Sequence, residues 1–529
     1  MTDPTPDSLA QSPSEDAQPE VPPVDHGELT RCLELLETIA AHHGLLAGLP
    51  EKLRTRLRRA TGRISHPDRA SKRELSRARR KRDEGERRAH DQQILDSTGM
   101  RRQREALIYP TPSPHPPESV LPEWQNGEPP PLIKARNCYI CKSDFNAVHA
   151  FYDSLCGECA EFNWQKREQT ADLGGRTALL TGGRVKIGYQ TGIKLLRAGV
   201  RLVVATRFPR DAADRYRRES DFESWRNRLQ IYGLDLRHTP SVEAFSAHLL
   251  ATEDRLDYLI NNACQTVRRP PGFYDHMMAL EARPWDEVDR ELLPMLDGYR
   301  ALLEETPAVG ETSDRAIATD LHVSKRTGLE LSAALSQLVL IDGDADRGDQ
   351  LFPLGRLDAD LQQVDLRTKN SWRLALDEVP TVELLEVHLT NAIAPFVLNA
   401  RLKPLLIKPG TRDQHIVNVS AVEGQFYRSF KTDKHPHTNM AKAALNMLTR
   451  TSAPDYFTDG IHMNAVDTGW ITDEDPLAIS VRKTEEHGFH PPLDHVDAAA
   501  RILDPIFDGT NRGSHVWGQF LKDYRPAHW

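Results

Sequence analysis

The sequence contains no run of eighteen or more apolar residues, which argues against a membrane-spanning helix. Aromatic residues make up only 7% of the 529 positions, and the mean hydropathy is -0.55. The first twenty residues, MTDPTPDSLAQSPSEDAQPE, lack the basic and apolar regions that define a secretory signal. We therefore expect a soluble chain that stays in the cytoplasm and does not bind a membrane.

Cysteine is scarce, with six residues, but four of them form two Cys-x-x-Cys pairs within 22 positions. They are Cys138, Cys141, Cys156 and Cys159. Two such turns present four thiolates to one ion and leave no open position, so the pattern predicts a structural zinc module over residues 134–168 that resembles a zinc ribbon. Four unrelated thiols or a rubredoxin-type iron centre are the alternatives. A RING domain needs eight ligands, and only His149 adds to these four.

Charge is distributed unevenly along the chain. The net charge is -9, yet residues 51–105 contain 19 Lys and Arg against 9 Asp and Glu. Residues 1–26 are acidic and proline-rich, which predicts disorder. Residues 27–108 show helical periodicity, with a helix-start signal at Pro67 and Asp68. This basic helical region is interpreted as a solvated surface, or as a site for an acidic partner or nucleic acid. Nucleic acid is not favoured, because aromatics for base stacking are absent there.

A proline-rich stretch follows the basic region, where nine of the 22 residues from 110 to 131 are proline. Such a composition is typical of an extended, semi-rigid linker, which we assign to residues 109–133. From Gly174 onward, short apolar segments alternate with helical ones, beginning with RTALLTGG and VKIGYQTGIKLLRAG. This alternation predicts a doubly wound parallel α/β sheet, which binds ligands at the carboxyl ends of its strands.

Six short motifs in this α/β region carry a family resemblance. The stretch TGGRVKIG, residues 181–188, follows the pattern T-G-x-x-x-G-x-G, except that Lys186 replaces the middle glycine. The other motifs are GLDL at 233–236, NNAC at 261–264, NAIAPF at 391–396, VNVSA at 417–421 and MNAVDTGW at 463–470. In this order they resemble the short-chain dehydrogenase/reductase superfamily over about 172–280 and 380–525.

The resemblance implies a Rossmann domain over residues 172–529, with a glycine-rich loop and helix N-terminus that hold a dinucleotide pyrophosphate. Because 129 positions separate Asn262 from Asn391, where the family uses a few dozen, we expect an insertion at about 268–375. The implied cofactor-binding residues are Gly182, Arg184, Lys186, Ile187, Gly188, Arg207, Asp235, Leu236, Asn262, Ala263 and Lys442. The implied catalytic positions are Ser420, Lys442, Asn391 and Thr438, and Tyr427 is a further candidate.

The choice of cofactor depends on the end of the second strand, VVATRFPR. An NAD enzyme usually has Asp or Glu there to hold the ribose 2′-hydroxyl group. This chain has Arg207, with Arg210 close in sequence, and an arginine accommodates a 2′-phosphate. The sequence therefore predicts NADP(H), while NAD is the alternative if Arg207 is simply a solvated side chain.

The tyrosine of the family's Tyr-x-x-x-Lys pair is missing, because Thr438 stands four residues before Lys442. A phenol beside an ammonium group serves as a general acid or base, whereas a threonine hydroxyl ionises too weakly. Tyr427, in YRSFK, is the favoured replacement, and His435 and His437 are further candidates. A relocated acid, a different reaction on bound nucleotide, and a scaffold without turnover all stay open.

The expected activity is NADP(H)-dependent oxidoreduction of a carbonyl or hydroxyl substrate at an atypical active site. The alternative is a catalytically inactive nucleotide-binding scaffold, or a protein that docks partners through the zinc module, the basic helices or the insertion. The sequence names neither the substrate nor the direction of the reaction, and it leaves a homo-oligomer open.

Overall fold

The computed structural model describes residues 25–112, 131–306, 327–427 and 431–529. The chain divides into two compact units, Met1–Glu86 and Arg87–Trp529. The sequence predicts disorder over 1–26 and a linker over 109–133. Of these two segments, residues 1–24 and 113–130 lie outside the described residues.

The helices are α1 (His26–Ala41), α2 (Glu51–Ser65), α3 (Arg69–Asp96), α4 (Gly99–Glu105), α5 (Gly157–Glu168), α6 (Lys186–Arg197), α7 (Pro209–Arg217), α8 (Phe222–Trp225), α9 (Thr239–Thr252), α10 (Asp275–Glu281), α11 (Leu293–Glu305), α12 (Thr327–Glu330), α13 (Thr381–His388), α14 (Ala394–Ile407), α15 (Pro436–Thr458), α16 (Leu477–His487) and α17 (His495–Arg512). The strands are β1 (Pro131–Asn137), β2 (Asp144–Ala147), β3 (Thr177–Thr181), β4 (Arg201–Thr206), β5 (Leu229–Gly233), β6 (Tyr258–Asn261), β7 (Gln414–Ser420), β8 (Ile461–Asp467), β9 (Phe520–Lys522) and β10 (Arg525–Ala527).

The first unit contains α1, α2 and the first part of α3, so the three helices expected from periodicity are present. Neither α1 nor α2 has a buried side chain, and the apolar stripe of α1 is open, with Leu29 and Leu33 each 54% exposed. The carboxylate of Asp68 accepts a 2.7 Å hydrogen bond from the amide of Ser71 and so caps the start of α3. These helices form without the buried core that a bundle would have.

The second unit begins inside α3 rather than at the proline-rich stretch. Ile94, Leu95 and Met100 are buried, and the buried guanidinium of Arg101 lies 2.6 Å from a carboxylate oxygen of Asp153. These apolar contacts and the ion pair join residues 87–112 to the cysteine module. The helical region predicted over 27–108 therefore divides near residue 86.

The cysteine module consists of the antiparallel hairpin β1–β2 followed by α5. Its core is continuous with the end of the chain, because Phe151 and Tyr152 belong to the same buried cluster as Leu493 and Ala498. The guanidinium of Arg167 makes buried ion pairs with Asp494 and Asp497 near the start of α17. The module is thus packed against the α/β domain within one unit.

The central sheet has eight strands in the order β10-β9-β8-β7-β6-β3-β4-β5. All neighbouring strands are parallel except the edge pair β9–β10. The inner strands β3, β7 and β8 are buried at every position, as expected where helices cover both faces of a parallel sheet. The predicted doubly wound α/β fold is confirmed, with the order reversing between β3 and β6.

The insertion is largely structured, although residues 307–326 lie outside the described part. Helix α11 packs beside β5 and buries Met295, Leu296 and Tyr299 in the main core. The rest is mainly irregular with short helical turns, and a buried ion pair with a shortest distance of 2.5 Å joins Arg268, at its start, to Asp344. The insertion therefore packs against the edge strand β5 and also reaches the carboxyl ends of the strands.

One helical stretch in the described chain, Thr381–Ile407, is long and apolar enough to cross a membrane by length and composition. It comprises α13, a π turn and α14, and half of its most apolar window is buried. Leu398, Leu402 and Leu405 lie in the main core. This burial is that of a core helix in an α/β domain.

Candidate active site

The glycine-rich loop connects β3 to α6 and has the close contacts that only glycine permits. Gly182 has φ of +72°, and a Cβ there would lie 2.8 Å from the Cα of Ala263. A Cβ on Gly188 would lie 2.0 Å from the carbonyl oxygen of Gly182. Lys186, at the position of the missing glycine, adopts a left-handed φ of +53°. The loop thus keeps the backbone path expected for glycine and presents the N-terminus of α6 to a ligand.

A cleft of about 500 Å³ lies at the carboxyl ends of the strands. Ten of the predicted cofactor residues line it, namely Gly182, Arg184, Lys186, Ile187, Gly188, Arg207, Asp235, Leu236, Asn262 and Ala263. The insertion contributes Gln362, Asp365 and Arg367, and the segment after β8 contributes Glu474. Lys442, predicted for both sets, does not line this cleft.

Arg207 carries a charge that faces the cleft. Its guanidinium donates a 2.9 Å hydrogen bond to the hydroxyl of Tyr274 and lies 5.0 Å from the centre of that ring. Burial alone would raise the pKa of Tyr274, but the Arg207 charge and hydrogen bond lower it. Among the described residues, no carboxylate forms an ion pair with Arg207, so donors on its guanidinium are available for an anion.

Arg210, which lies close to Arg207 in the sequence, does not point into the cleft. Its guanidinium donates to the carbonyl oxygens of Leu280 and Arg283 and lies 4.8 Å from the ring of Trp285. It does not line the cleft. Arg210 therefore anchors α7 to the insertion, and Arg207 is the arginine of this pair that lines the cleft.

Two other predicted cofactor residues are partly occupied by contacts within the protein. The buried carboxylate of Asp235 accepts from the guanidinium of Arg237, with a shortest distance of 2.6 Å. The side-chain amide of Asn262 donates to the carbonyl oxygens of Thr181 and Gly182, each at 3.1 Å. Asn262 thus ties the ends of β3 and β6 together, which fixes the loop that borders the cleft.

Acidic side chains also face the cleft near Lys186. Glu474 is half-buried, and although burial alone would raise its pKa, the Lys186 charge and a 2.6 Å hydrogen bond from the hydroxyl of Thr472 lower it. Burial raises the pKa of Asp358. Arg184, predicted as a cofactor-binding residue, already forms a 2.7 Å ion pair with Asp211. Lys186 is therefore the cation of the loop whose charge acts on both of these acidic groups, whereas Arg184 is paired with Asp211.

The predicted serine and lysine are both buried and hydrogen-bonded. Ser420 ends β7, and its hydroxyl donates to the side-chain oxygen of Asn446 at 2.6 Å. The ammonium group of Lys442, on α15, donates to the carbonyl oxygen of Val419 at 2.8 Å. Thr438 is buried one turn before Lys442, and its hydroxyl has no hydrogen-bond partner among the described residues.

Asn391 lies in the π turn Leu389–Ile393 between α13 and α14. Its side chain accepts a 2.8 Å hydrogen bond from the amide of Gln265 and donates to the carbonyl of the same residue at 3.2 Å. Gln265 and Thr390 line the cleft. A π turn often marks a functional position in a helix, and here it holds Asn391 against the cleft wall.

The predicted replacements for the tyrosine do not converge on the cleft. Tyr427 is 67% exposed, and its ring lies 5.4 Å from that of His528. His435 stacks on Trp372 with ring centres 3.8 Å apart, and burial lowers its pKa. His437 is buried 3.3 Å from Glu383. The structure therefore does not bring Tyr427 to the cleft.

Several cleft residues had no signal in the sequence. Arg237, Arg269, Tyr274, Arg367, Glu474 and His495 all line the cleft. Three of them come from the insertion and two from the segment after β8, regions without a motif of fixed spacing. Arg237 is the exception, because it directly follows the GLDL motif and could have been predicted from it.

The four predicted metal ligands converge in the cysteine module. One sulfur atom from each of Cys138, Cys141, Cys156 and Cys159 lies within 4.8 Å of the other three. The sulfurs of Cys141 and Cys156 are 3.6 Å apart. Tetrahedral zinc with bonds of about 2.3 Å places two sulfurs roughly 3.8 Å apart, so this donor set fits the ion.

Two family models match the α/β domain. The short chain dehydrogenase model matches residues 176–298, and the enoyl-(acyl carrier protein) reductase model matches residues 355–488. Between them lies most of the insertion. Their match and the cleft at the strand ends define a dinucleotide-binding oxidoreductase fold.

The chain is also similar to individual proteins. It is 31% identical to the uncharacterized protein R665 of Acanthamoeba polyphaga mimivirus over 405 residues, which cover 74% of this chain and 75% of that protein. It is 39% identical to dehydrogenase/reductase SDR family member 13 of Bos taurus over 104 residues, which cover 19% of this chain and 27% of that protein. The chain therefore belongs to the short-chain dehydrogenase/reductase superfamily.

Among solved structures, the Pseudomonas aeruginosa RhlG/NADP active-site complex is 18% identical, with a TM-score of 0.38, and the match covers 66% of this chain and 95% of that one. A short-chain dehydrogenase from Streptomyces avermitilis is 15% identical, with a TM-score of 0.36, and the match covers 63% and 83% of the two chains.

Proposed function

We propose that the chain binds NADP(H) in the cleft at the carboxyl ends of the strands. The observation that carries this proposal is Arg207, at the end of β4, whose guanidinium faces the cleft without a carboxylate partner among the described residues. A guanidinium in that position suits a 2′-phosphate. The loop of Gly182 and Gly188 would hold the pyrophosphate at the N-terminus of α6, with Lys186 beside it.

The proposed reaction is oxidoreduction of a carbonyl or hydroxyl group on a small substrate. The nucleotide, when bound, supplies or accepts a hydride. Ser420 would orient the substrate oxygen, and Asn391 and Lys442 would position the nucleotide and the proton path. Superfamily membership and the retention of these three residues support this proposal.

The proposed reaction needs a proton donor, and the tyrosine that serves in the family is replaced by Thr438. A threonine hydroxyl is too weak an acid for Thr438 to serve. Tyr427 is the only tyrosine among the candidate donors, but its side chain is 67% exposed and does not line the cleft. His437, which directly precedes Thr438 and is buried near Glu383, and His435 are the alternative donors.

A second function is a nucleotide-binding scaffold without turnover. This function is favoured because the hydroxyl of Ser420 and the ammonium group of Lys442 are already hydrogen-bonded within the protein. Neither side chain lines the cleft. In this case the insertion or the cysteine module would dock a protein partner, and the basic helices an acidic one.

One experiment separates the two functions. NADPH and NADH binding isotherms should be measured beside NADPH oxidation with a panel of aldehydes and ketones. Tighter binding of NADPH together with turnover supports the oxidoreductase. Tighter binding of NADPH without turnover on any carbonyl supports the scaffold, and equal binding of both nucleotides would contradict the role of Arg207.

We also propose that the four cysteines hold one structural zinc ion. The ion would cross-link the β1–β2 hairpin to α5, and its proposed role is structural. Elemental analysis of natively purified protein should give one zinc bound by these cysteines, and Cys138→Ser should remove it. The matched control is Cys264→Ser, an exposed cysteine outside the cluster, which should leave the metal content unchanged. Zinc content below half an equivalent in the unmodified protein would contradict this proposal.

A further inference from the structure

Three histidines lie together at the amino-terminal ends of two central strands, on the opposite edge of the sheet from the cleft. His415 is the second residue of β7 and His462 the second residue of β8, and the two are paired in register on adjacent parallel strands. His515 lies three residues after α17. The ring centres are 5.2 Å apart for His415 and His462, 5.0 Å for His415 and His515, and 4.9 Å for His462 and His515. The three imidazoles thus form a nearly equilateral triangle.

The ring nitrogens of this cluster also converge. One nitrogen from each histidine lies within 4.8 Å of the other two, and Nε2 of His415 lies 2.9 Å from Nδ1 of His515. Two lone pairs at that distance repel unless a proton or a cation lies between them. Nδ1 of His462 lies 3.2 Å from the carbonyl oxygen of Gln414. A carbonyl only accepts, so this nitrogen carries the proton and Nε2 of His462 keeps a free lone pair.

The surrounding structure makes room for this arrangement. Gly509 of α17 is buried against His515, and a Cβ there would lie 2.4 Å from Nδ1 of His515. Any other residue at 509 would displace that imidazole. His415 and His462 are buried, and the edge of the His462 ring meets Phe457, 5.6 Å away between centres. The triangle is therefore built from both strands and the segment after α17, with Gly509 of that helix packed against it.

The nearest carboxylate is not available as a counter-charge inside the cluster. Asp413 precedes β7, but its oxygens are bound by the guanidinium of Arg176 at 2.6 Å and by the hydroxyl of Thr411. A cation within the triangle would thus be held by neutral nitrogens alone. Imidazole donors suit zinc and other late divalent transition ions, whereas Mg²⁺ and Ca²⁺ prefer oxygen.

We propose that His415, His462 and His515 form a binding site for a divalent transition-metal ion such as Zn²⁺, separate from the four-cysteine cluster. The Nδ1 hydrogen bond of His462 to a backbone carbonyl is the kind of outer contact that orients metal-ligating histidines. Three protein ligands leave the fourth position of a tetrahedral ion to water. The site clamps the ends of β7 and β8 to the segment after α17.

The test counts zinc in the full-length chain. Protein is loaded with excess Zn²⁺, freed of unbound metal by gel filtration and analysed for metal. His515→Gln, which changes a half-buried residue outside the strands, should carry one equivalent less than the unmodified chain. His248→Gln is the matched control, since it removes another buried imidazole, one that pairs with Glu305 instead. It should keep the full count.

Gly509→Ala provides an independent variant, because it keeps all three imidazoles but displaces His515. Its affinity for Zn²⁺, measured by competition with a chromophoric chelator, should fall at least tenfold at this site only. Substitution with Co²⁺ gives a further readout, since a histidine site lacks the thiolate-to-cobalt absorption of the cysteine cluster. Equal zinc counts in the unmodified chain and in His515→Gln would overturn the proposal and leave a hydrogen-bonded histidine cluster.

Discussion

The ammonium group of Lys442 donates a 2.8 Å hydrogen bond to the carbonyl oxygen of Val419, the residue before Ser420. This contact joins α15 to the end of β7 and brings the family's lysine and serine positions together. Thr438, one turn earlier on α15, has a buried hydroxyl without a partner in the described chain. The serine and the lysine of the family's pattern are therefore joined here, while position 438 carries a threonine in place of the tyrosine.

The first prediction concerns Arg207. Arg207→Asp should weaken NADPH binding by about 2 kcal/mol or more, roughly thirtyfold in Kd, because a charged hydrogen-bond donor is replaced by a repelling carboxylate. NADH binding should change little, since NADH lacks the 2′-phosphate. Isothermal titration with both nucleotides measures the ratio.

Arg210→Gln is the matched control for this prediction. Its guanidinium binds the carbonyls of Leu280 and Arg283 and faces away from the cleft, so the NADPH/NADH ratio should stay unchanged. If Arg210→Gln alters that ratio as strongly as Arg207→Asp does, the assignment of the phosphate contact to Arg207 is wrong.

The second prediction separates the two effects of Lys186. Lys186→Gly should relieve the strain of a non-glycine residue in the left-handed region. It should also remove the charge that acts on Asp358 and Glu474. Stability should change by no more than about 1 kcal/mol, because relief of strain is offset by the flexibility of glycine. NADPH affinity should fall about tenfold, a loss of about 1.4 kcal/mol from one phosphate-facing cation.

Lys186→Met keeps the side-chain length and the left-handed backbone but not the charge. It should lower NADPH affinity as much as the glycine variant does. Its free energy of unfolding should show no gain from relief of backbone strain. Unchanged affinity in both variants would show that Lys186 does not contact phosphate.

The third prediction uses Asp467, at the end of β8. Burial raises its pKa to about 6, and its carboxylate accepts a 3.0 Å hydrogen bond from the amide of Val422. A raised pKa means that the folded chain holds this proton more tightly than the unfolded chain does. The stability that this group contributes is therefore complete below pH 4 and is lost as the pH rises through about 6.

Asp467→Asn should remove that loss while keeping an acceptor for Val422. The free energy of unfolding of the variant, relative to the unmodified chain, should rise by about 2 kcal/mol between pH 4 and pH 7.5. Denaturant unfolding at several pH values measures it. Asp349→Asn, at an exposed position, is the control and should show no such trend. A difference that shrinks as the pH rises would contradict the raised pKa.

The regular part of the fold was predictable because its signals are local. The TALLT strand is buried at every position, and its centre, Ala178 to Leu180, is apolar, as is typical of a parallel strand that helices cover on both faces. The loop at 181–188 was predictable because close backbone contacts at Gly182 and Gly188 restrict the residue type. The four cysteines were found because two knuckles around one ion require fixed spacing.

The rest of the site depends on contacts between distant segments. Tyr274 meets Arg207 across 67 positions, and Arg237 meets Glu386 across 149, without any periodic pattern. The direction of Arg210 was set by carbonyls of the insertion, which no motif indicates. Tyr427 matched the spacing of a Tyr-x-x-x-Lys pair, but spacing alone does not decide whether a loop side chain faces a cleft or solvent.

The last prediction concerns Thr438. Thr438→Val keeps the shape of the side chain and removes a buried hydroxyl that has no hydrogen-bond partner among the described residues. An unpaired buried hydroxyl costs about 1 kcal/mol or more, so the variant should be more stable by about that amount in chemical unfolding. If the unmodified chain reduces a carbonyl, Thr438→Val should retain its rate within about twofold, because a threonine hydroxyl cannot act as the general acid.

Thr438→Tyr is the complementary variant. The added ring overfills a buried site and should cost about 1–3 kcal/mol of stability, yet it returns a phenol one turn before Lys442. New NADPH oxidation in Thr438→Tyr would show that the site lacks only its acid. A loss of more than tenfold in the rate of Thr438→Val, at unchanged NADPH affinity, would instead show that the hydroxyl contacts the reacting group.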